Sequence, residues 1–344
     1  MDIKVFTAFS GYDSQLMALE RLRQKHNDFN YECIGWSDID DCAIKAHNLC
    51  FPYLSDKNYG DISKIDWNNV PDFDLFTYSF PCTDISSAGL KRGLEEGSGT
   101  RSSLLWECRK AILQKKPKFL VMENVKSLID KKNKPSFDNW IKFLDEEGYN
   151  SYYKVLNAKD YADIPQNRER IFCVSILKNV DKNGYFFPEK IPLKKTIVGD
   201  IIDKDATNVH YFGKKGVDYE ILNERSISFR GWTYNEGEGL YAYDSPQFRK
   251  GGLPGLSRTL KKSPDNFYIY RMDDGELGIR QFTPKECFRL MDVPEKYISI
   301  MCDSVDDNNK PILKKTALMG LAGNSIVVGV IERIMEQIFF GQNS

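Results

Sequence analysis

Cys82 is the residue of this chain that is best placed to act as a nucleophile. It follows an apolar run over residues 73–78, which predicts a buried strand, and it precedes a loop rich in serine and glycine that extends to Arg101. A second apolar run, over residues 119–122, ends on Glu123. Because the carboxyl ends of parallel strands meet at one edge of a sheet, the thiol and the carboxyl group can face the same crevice. This pairing suits addition of the sulfur to an electron-poor ring, with a group beside it that holds a proton.

The segment Phe9-Ser10-Gly11 follows the first predicted strand and is a natural place for a nucleotide-like cofactor. Glycine permits a close backbone approach, and the N-terminus of the next helix offers N–H groups to an anionic group. Asp38 ends the second predicted strand, where an acidic residue holds ribose hydroxyls in a doubly wound fold. Helix capping explains Asp38 equally well, and Asp61-Ile62 indicates little by itself.

The first half of the chain alternates strand-like and helix-like segments, which must position these side chains. This alternation predicts an α/β fold with a doubly wound, mostly parallel sheet. The pattern changes near Phe187, and an irregular, glycine-rich and aromatic stretch predicts a smaller second domain. Thr283 and Glu286 then predict a capping box. The predicted strands span 3–9, 31–36, 73–78, 119–122, 152–156 and 170–176, and the predicted helices span 14–24, 41–50, 101–115, 283–291 and 326–340.

The composition is that of a soluble globular protein, with 344 residues, 41% of them hydrophobic and 28% charged. We see no apolar run long enough to cross a bilayer, and the chain enters a strand at once, so we expect no membrane association and no signal peptide. The 8 cysteines lack metal-ligand spacing and the histidines number only 3, so we expect no metal site and a reducing cytoplasm. A net charge of −1 neither indicates nor excludes a nucleic-acid partner.

Each motif also has an ordinary explanation when it is taken alone. Most cysteines are buried structural thiols, a glutamate at a strand end can cap the next segment, and the charged run at 166–170 can be a solvated turn. Their joint occurrence, in order and at compatible spacings, argues against these separate explanations.

That order resembles the C5-cytosine DNA methyltransferase family over nearly the whole chain except its irregular middle. The family's Phe-x-Gly-x-Gly, Pro-Cys-Gln and Glu-Asn-Val motifs correspond to residues 9–13, 81–83 and 123–125. Its Gln-x-Arg-x-Arg, Arg-x-Leu-Thr-Pro-Arg-Glu-Cys-x-Arg-Leu and Gly-Asn-Ser-Val motifs correspond to 166–170, 280–290 and 323–326. Three positions depart from the pattern: Asp13 replaces the second glycine, Thr83 replaces glutamine, and Leu321 stands where glutamine is frequent.

The resemblance implies a sequence-specific DNA (cytosine-5-)-methyltransferase that uses S-adenosyl-L-methionine. Cys82 would add to C6 of a cytosine flipped out of duplex DNA, and Glu123 would contact N3 and the exocyclic amine. Arg170, with Arg168 beside it, would contact O2 of the base. The implied cofactor-binding residues are Phe9, Gly11, Asp38, Ile39, Asp61, Ile62 and Asn324. The implied DNA contacts are Ser86, Ser87, Arg101, Arg230, Arg249, Lys250 and Arg258, and Lys261 and Lys262 are further candidates.

By the same resemblance, residues 1–186 and 312–344 form a catalytic and cofactor-binding domain with the S-adenosylmethionine-dependent methyltransferase fold. Residues 187–311 form a target-recognition domain and hinge. We expect a monomer in the bacterial cytoplasm or nucleoid with double-stranded DNA as its partner. The resemblance leaves open a solitary bacterial or phage methylase and the modification half of a restriction–modification system. In the second case, a cognate restriction endonuclease is encoded nearby.

Three other functions are less consistent with the sequence. The same chemistry on RNA is disfavoured by the long insertion between the fourth and fifth motif blocks and by the absence of the Cys-Phe-Thr stretch usual in RNA-directed relatives. A non-catalytic relative is expected to have lost at least one of the four catalytic candidates. A cysteine-dependent hydrolase requires an activating histidine, and none of the 3 histidines lies in a suitable motif.

Overall fold

The computed structural model describes residues 1–82, 101–203, 206, 211–212, 219–229, 231–241, 253, 255–262, 266–272 and 275–341. The chain divides into two compact units. The first unit comprises Met1–Asn157, Glu169–Glu189 and Val328–Ser344, and the second comprises Ala158–Arg168 and Lys190–Val327. The functional division at residues 186 and 311 stays a prediction.

The described residues form strands and helices numbered here in chain order. The strands are β1 (Asp2–Ala8), β2 (Asn30–Ser37), β3 (Leu75–Tyr78), β4 (Phe119–Val125), β5 (Tyr149–Asn157), β6 (Gln166–Asn167), β7 (Glu169–Leu177), β8 (Tyr211–Phe212), β9 (Tyr219–Asn223), β10 (Ser226–Phe229), β11 (Trp232–Asn235), β12 (Gly239–Tyr241), β13 (Ser257–Arg258), β14 (Asn266–Arg271) and β15 (Leu277–Gln281). The α-helices are α1 (Ser14–Lys25), α2 (Asp41–Cys50), α3 (Cys108–Lys115), α4 (Lys134–Glu146), α5 (Ala158–Tyr161), α6 (Pro284–Arg289), α7 (Glu295–Asp303), α8 (Lys315–Asn324) and α9 (Val328–Phe339).

A six-stranded sheet with the order β2-β1-β3-β4-β7-β5 forms the centre of the first unit. β1 pairs in parallel with β2 and β3, and β3 pairs in parallel with β4. β7 runs antiparallel to both of its neighbours, β4 and β5. The prediction of an α/β fold with a mostly parallel sheet is therefore confirmed.

The two strands that end near Cys82 and Glu123 are buried along nearly their whole length. A parallel strand covered on both faces reads as a continuous apolar run rather than an alternating one, as β3 and β4 do. Tyr78 of β3 lies opposite Met122 of β4. This register places the residues after β3 beside the last residues of β4.

Helices cover this sheet through apolar stripes. α4 buries Phe137, Trp140, Phe143 and Leu144, whose spacing puts them on one helix face. α9 packs on α1, with an ion pair of 3.2 Å between Arg21 and Glu332 at the edge of the contact. The core of the first unit therefore holds the ends of β1, β3 and β4 in fixed positions.

One stretch of the described residues, Lys315–Phe339, is long and apolar enough to cross a membrane by length and composition. The expectation that no such run exists is wrong in that respect. The stretch consists of α8 and α9 with a break between them, and 72% of its apolar window is buried in the protein. Burial of this kind is typical of the core helices of a soluble protein.

The second unit contains small sheets built from short strands. β11, β10 and β9 form one antiparallel sheet, and β12, β14, β15 and β8 form another. β13 pairs in parallel with β6. The predicted capping box is present at the start of α6, where Thr283 accepts from the Glu286 N–H and the Glu286 carboxylate accepts from the Thr283 N–H.

Two predicted elements differ from the structure. The helix predicted over 101–115 is a short 3-10 helix, Arg101–Leu105, followed by α3. Between them the main-chain N–H groups of Trp106 and Glu107 donate to carbonyls three residues earlier, the spacing of a 3-10 turn. The strand predicted over 3–9 ends at Ala8, because Phe9 has a left-handed φ of 56°.

Candidate active site

Cys82 lies four residues beyond the end of β3, is partly exposed and packs against the core of the first unit. Two side chains hold the main chain just before it. The Asn124 amide donates to the Phe80 carbonyl at 2.9 Å, and the Ser102 hydroxyl donates to the Pro81 carbonyl at 2.8 Å. The thiol therefore follows a main chain that two side-chain hydrogen bonds hold in place, which limits the positions of a nucleophile.

Glu123, on β4, has 7% of its surface exposed and forms an ion pair with Arg170. The Arg170 Nε atom lies 3.3 Å from Oε1 of Glu123, and Arg170 Nη1 donates to the Glu169 carbonyl at 2.8 Å. A nearly buried carboxylate is costly without a partner, and the guanidinium supplies one. The antiparallel pairing of β4 with β7 brings the two side chains together.

Arg168 has a different environment from Arg170, although both belong to the same motif. It is buried in the second unit, and its guanidinium donates to the carbonyls of Leu260, Gly323 and Ser325 at 3.1, 3.0 and 2.6 Å. A cation on the last carbonyls of a helix is favourable, so Arg168 also stabilises the end of α8. These contacts join three segments of the second unit.

The turn after β1 has an unusual backbone. Phe9, Gly11 and Asp13 have φ angles of 56°, 59° and 64°, in the left-handed region that favours glycine. The Gly11 N–H donates to Asp38 Oδ2 at 2.9 Å, which joins this turn to the end of β2. Apart from Gly11 and its two chain neighbours, no heavy atom of the described residues lies within 4 Å of the position that a Gly11 Cβ would occupy, so the backbone there is open to an approaching ligand.

Asp38 and Ile39 follow β2 beside that turn. The Asp38 carboxyl group also accepts from the Asp40 N–H at 2.9 Å, and partial burial raises its pKa. Ile39 is 68% exposed, a high value for a large aliphatic side chain. An acceptor for hydroxyl groups and an apolar wall therefore lie next to an open glycine.

Asp61 and Ile62 lie in the next loop. Ile62 is buried, and Asp61 caps the 3-10 helix Ile62–Lys64 by accepting from Ser63, which lowers the pKa of Asp61. The Asn58 side chain links this loop to the β2 end, because its Oδ1 accepts from the Gly60 N–H at 2.9 Å and its Nδ2 donates to the Asp38 carbonyl at 3.2 Å.

The first-unit residues fit the groups of S-adenosylmethionine. Phe9 is partly exposed and Ile39 is exposed, which provides apolar contacts for an adenine ring, and Asp38 provides an acceptor for a ribose hydroxyl. The open backbone at Gly11 suits the methionine part.

The remaining sequence-predicted residues lie elsewhere or outside the described part of the chain. Asn324 is exposed at the last position of α8, and Arg258 lies on β13, paired with Asn167 of β6. The side chain of Arg101 and the departure at Thr83 fall outside the description, as do Ser86, Ser87, Arg230, Arg249 and Lys250.

Sequence reasoning missed the residues that support the site. Asn58, Asn124 and Ser102 act through main-chain carbonyls and N–H groups that only the folded chain brings near. Gln166 has a comparable role within the second unit, since its Oε1 accepts from the Leu260 N–H at 3.0 Å and its Nε2 donates to the Leu290 carbonyl at 2.7 Å. The sequence did contain one indication of Asn124 and Gln166, because both lie within family motifs, at 123–125 and 166–170.

The sequence matches the model of the family described as C-5 cytosine-specific DNA methylase over residues 3–340. It is 39% identical to the Type II methyltransferase M2.ScrFI of Lactococcus lactis subsp. cremoris, in an alignment covering 99% of this chain and 100% of that protein. It is 32% identical to the Orphan methyltransferase M.SssI of Spiroplasma monobiae, covering 83% of this chain and 71% of that protein.

Solved structures share the fold. The Entamoeba histolytica methyltransferase EhMeth superimposes with a TM-score of 0.68 at 17% identity, covering 100% of both chains. The S. pombe Dnmt2 methyltransferase gives a TM-score of 0.63 at 17% identity, covering 99% of this chain and 100% of that one. The family match spans nearly the whole sequence, including the segments of Cys82, Glu123 and Arg170, and this chain belongs to the C-5 cytosine-specific DNA methylases.

Proposed function

We propose that this enzyme transfers a methyl group from S-adenosylmethionine to C5 of a cytosine in duplex DNA, through a covalent bond between Cys82 and C6. The observation that carries the proposal is the ion pair between Glu123 of β4 and Arg170 of β7, because Glu123 adjoins Asn124, whose amide holds the main chain just before Cys82. Family membership supports DNA cytosine as the substrate.

Cys82 is the proposed nucleophile because cytosine C5 is too weakly nucleophilic to take a methyl group unaided. Addition of the thiolate to C6 makes C5 enamine-like and reactive. After methylation, loss of the C5 proton and departure of the Cys82 sulfur restore the aromatic ring. The fixed carbonyls of Phe80 and Pro81 support this role, since they limit the positions that the sulfur can take.

Glu123 and Arg170 are proposed to stabilise the ring as Cys82 adds. The Glu123 carboxylate accepts from the exocyclic amine and holds a proton at N3, where charge develops. Arg170 donates to O2 while its Nε keeps Glu123 oriented, as the 3.3 Å contact supports. In a nearly buried site such charge-assisted contacts are stronger than in water.

The cofactor is proposed to bind at the turn after β1. Phe9 and Ile39 contact the two faces of the adenine ring, Asp38 accepts from the ribose, and Asp61 and Ile62 meet the adenine edge. Gly11 admits the methionine part. When bound, S-adenosylmethionine supplies an electrophilic methyl group to C5.

The cytosine must leave the base stack to reach Cys82, so the target nucleotide is proposed to flip. Target recognition is proposed to reside in residues 187–311, with Arg258 among its contacts. Arg258 lies on β13, which is paired with β6 in the same motif that carries Arg168. M2.ScrFI is named a Type II enzyme and M.SssI an orphan enzyme, which supports either a restriction–modification or a solitary role in the bacterial cytoplasm.

Covalent trapping tests the proposed nucleophile. Duplex DNA amplified with 5-fluorodeoxycytidine triphosphate carries fluorine at C5, so the step that removes the C5 proton cannot occur and the Cys82–C6 bond persists. We expect a denaturation-resistant protein–DNA complex that requires S-adenosylmethionine, and mass spectrometry should locate the link at Cys82.

Cys82→Ala should form no such complex, whereas Cys302→Ser, at a partly buried cysteine of α7, should trap like the wild type. Trapping by Cys82→Ala, or methylation by the wild type without any trapping, would contradict the proposed nucleophile.

A further inference from the structure

Asp13 occupies a position in the cofactor turn that demands an unusual backbone. Its φ of 64° follows the left-handed Phe9 and Gly11 in the same turn. A side chain other than glycine is disfavoured in this conformation, although asparagine and aspartate tolerate it better than most. The contacts of Asp13 must therefore hold the turn in place.

The Asp13 carboxylate is completely buried and joins separate elements of the first unit. Its Oδ2 accepts from the Thr7 hydroxyl on β1 at 2.6 Å, and its Oδ1 accepts from the Leu16 N–H in the first turn of α1 at 3.2 Å. A buried carboxylate is costly unless it is hydrogen-bonded, so both contacts favour this one position of the side chain.

His47 of α2 faces the same carboxylate. Its Nε2 lies 3.4 Å from Asp13 Oδ2, and its ring is completely buried and stacked on Trp36 with centroids 3.7 Å apart. Among the described residues, neither ring nitrogen of His47 makes a hydrogen bond. Trp36 lies on β2, two residues before Asp38, so the stack extends this cluster to the strand that ends at the proposed ribose contact.

Gly11 lies between the contacts of Asp38 and those of Asp13. On one side its N–H donates to Asp38 at 2.9 Å, and on the other the Asp13 N–H donates to the Ser10 carbonyl at 2.8 Å. Ser10 in turn donates from its hydroxyl to the Thr7 carbonyl at 2.9 Å. The backbone at the open glycine is thus set by Asp13 and its neighbours rather than by glycine flexibility.

We propose that Asp13 is a positioning residue that, together with His47, pre-forms the turn for the methionine part of S-adenosylmethionine. The inference rests on the proposed function. Where the family pattern has a flexible second glycine, this chain has a carboxylate that ties β1, α1 and α2 together. A pre-formed turn loses less conformational freedom on binding and so binds its ligand more tightly.

Three substitutions at position 13 distinguish the effect of the backbone conformation from the effect of the side-chain contacts. Asp13→Gly keeps the left-handed backbone and removes every side-chain contact. Asp13→Asn keeps a helix-capping oxygen and the tolerated backbone but removes the charge that faces His47. Asp13→Ala removes the contacts and also disfavours the backbone.

The readouts are the dissociation constant of S-adenosylhomocysteine by calorimetry and the steady-state constants for duplex DNA methylation, all with the full chain. For Asp13→Gly we expect the dissociation constant of S-adenosylhomocysteine and the KM for S-adenosylmethionine to rise about tenfold, which corresponds to the loss of one charge-assisted contact. We expect kcat to stay nearly unchanged. Asp13→Ala should show a larger effect and Asp13→Asn a smaller one.

Asp181→Asn is the matched control for a merely structural role. Asp181 is another buried carboxylate of the first unit, and it accepts from Asn150 and Tyr152 at 2.8 and 2.7 Å. Its replacement should lower thermal stability without changing the KM for S-adenosylmethionine. A KM raised equally by Asp181→Asn and Asp13→Gly would overturn the inference.

His47→Phe keeps a ring to stack on Trp36 and removes the contact with Asp13, so it provides a second test if Asp13→Gly fails to fold. We expect it to raise the dissociation constant, and its effect should combine with that of Asp13→Asn less than additively, since both remove the same contact. Folded His47→Phe or Asp13→Gly protein that binds like the wild type would overturn this inference alone. Wild-type protein that binds no S-adenosylhomocysteine would overturn the proposed function as well.

Discussion

Glu123 shows how the environment of one residue defines its chemistry. Its carboxylate is nearly buried, it is paired with Arg170 at 3.3 Å, and the adjacent Asn124 makes the contact to the Cys82 segment. A carboxylate that merely capped the following segment would not require a partly buried cation beside it. The ion pair holds the carboxylate in one orientation, which is what recognition of a flat base edge requires.

The charge of Glu123 should matter more than its shape. Glu123→Gln keeps the size of the side chain but cannot stabilise a protonated N3, and we expect kcat to fall by about 10²- to 10⁴-fold. The measurement is a single-turnover rate of methyl transfer at saturating DNA. Glu169→Gln removes a neighbouring, exposed carboxylate that pairs with Lys126, and it should leave the rate nearly unchanged. Equal rates for the Glu123→Gln variant and the wild type would remove Glu123 from the mechanism.

The positions of individual residues could be predicted from the sequence where they follow or end a predicted strand, whereas their chemical roles stay predictions. Cys82, Glu123 and Asp38 are of this kind, and their placement at strand ends followed from the parallel sheet. The inward-facing carboxylate of Asp13 could not be predicted, because its partners on β1 and α2 are distant in sequence.

Asn124 links the end of β4 to the segment that follows β3. Its amide satisfies the buried Phe80 carbonyl, so Asn124→Ala should leave that carbonyl unpaired and lower the free energy of unfolding by about 1–3 kcal/mol. Displacement of the Cys82 main chain should also lower kcat, by about tenfold or more. Denaturant unfolding and methyl-transfer assays measure the two effects.

Asn133→Ala is the control for Asn124→Ala, since Asn133 is also buried and donates to the Ser127 carbonyl at 2.8 Å, away from Cys82. It should lower stability to a similar degree and leave kcat unchanged. A similar loss of kcat in both variants would show that Asn124 does not act through Cys82.

The end of α8 packs against another segment of the second unit through Gly323. A Cβ at position 323 would lie 2.2 Å from the Lys261 carbonyl oxygen, whereas a Cβ at Gly320 would lie 3.5 Å from the Lys262 carbonyl oxygen. Gly323→Ala should therefore destabilise the protein by about 1–3 kcal/mol, as overpacking does. Gly320→Ala should be neutral or stabilising by up to about 1 kcal/mol, because alanine is the better helix former. Calorimetric unfolding compares the two, and a Gly323→Ala protein as stable as Gly320→Ala would contradict the close approach.

Elements with clear periodicity were predictable, and elements set by packing were less so. α1 and α2 fall almost where the pattern puts them, whereas α4 was overlooked although its Phe137 and Trp140 lie on one face. The antiparallel direction of β7 has no local signature, since a strand reads the same in either direction. It depends on the 11-residue connection from β5, which is too short and irregular for a crossover helix.

At the scale of the whole molecule, the fold class followed from the alternation of strands and helices, and the chemistry followed from ordered motifs. The irregular middle of the chain gave only a prediction of short strands, which the second unit contains. Its pairings, such as β13 with β6, join residues far apart in sequence and leave no periodic signal. Target recognition is proposed to reside in that region, and no residue pattern there predicts which DNA sequence it reads.

The central claim is that Cys82 serves methylation of cytosine C5 in DNA. The most direct test is transfer of labelled methyl from S-adenosylmethionine to duplex DNA and, in parallel, to tRNA, with sequence mapping of the modified cytosines for the wild type and Cys82→Ala. The account predicts label in DNA alone, at C5 within one short sequence, and no label from the Cys82→Ala variant. Label confined to tRNA would contradict the proposed substrate, and undiminished label from Cys82→Ala would contradict the mechanism.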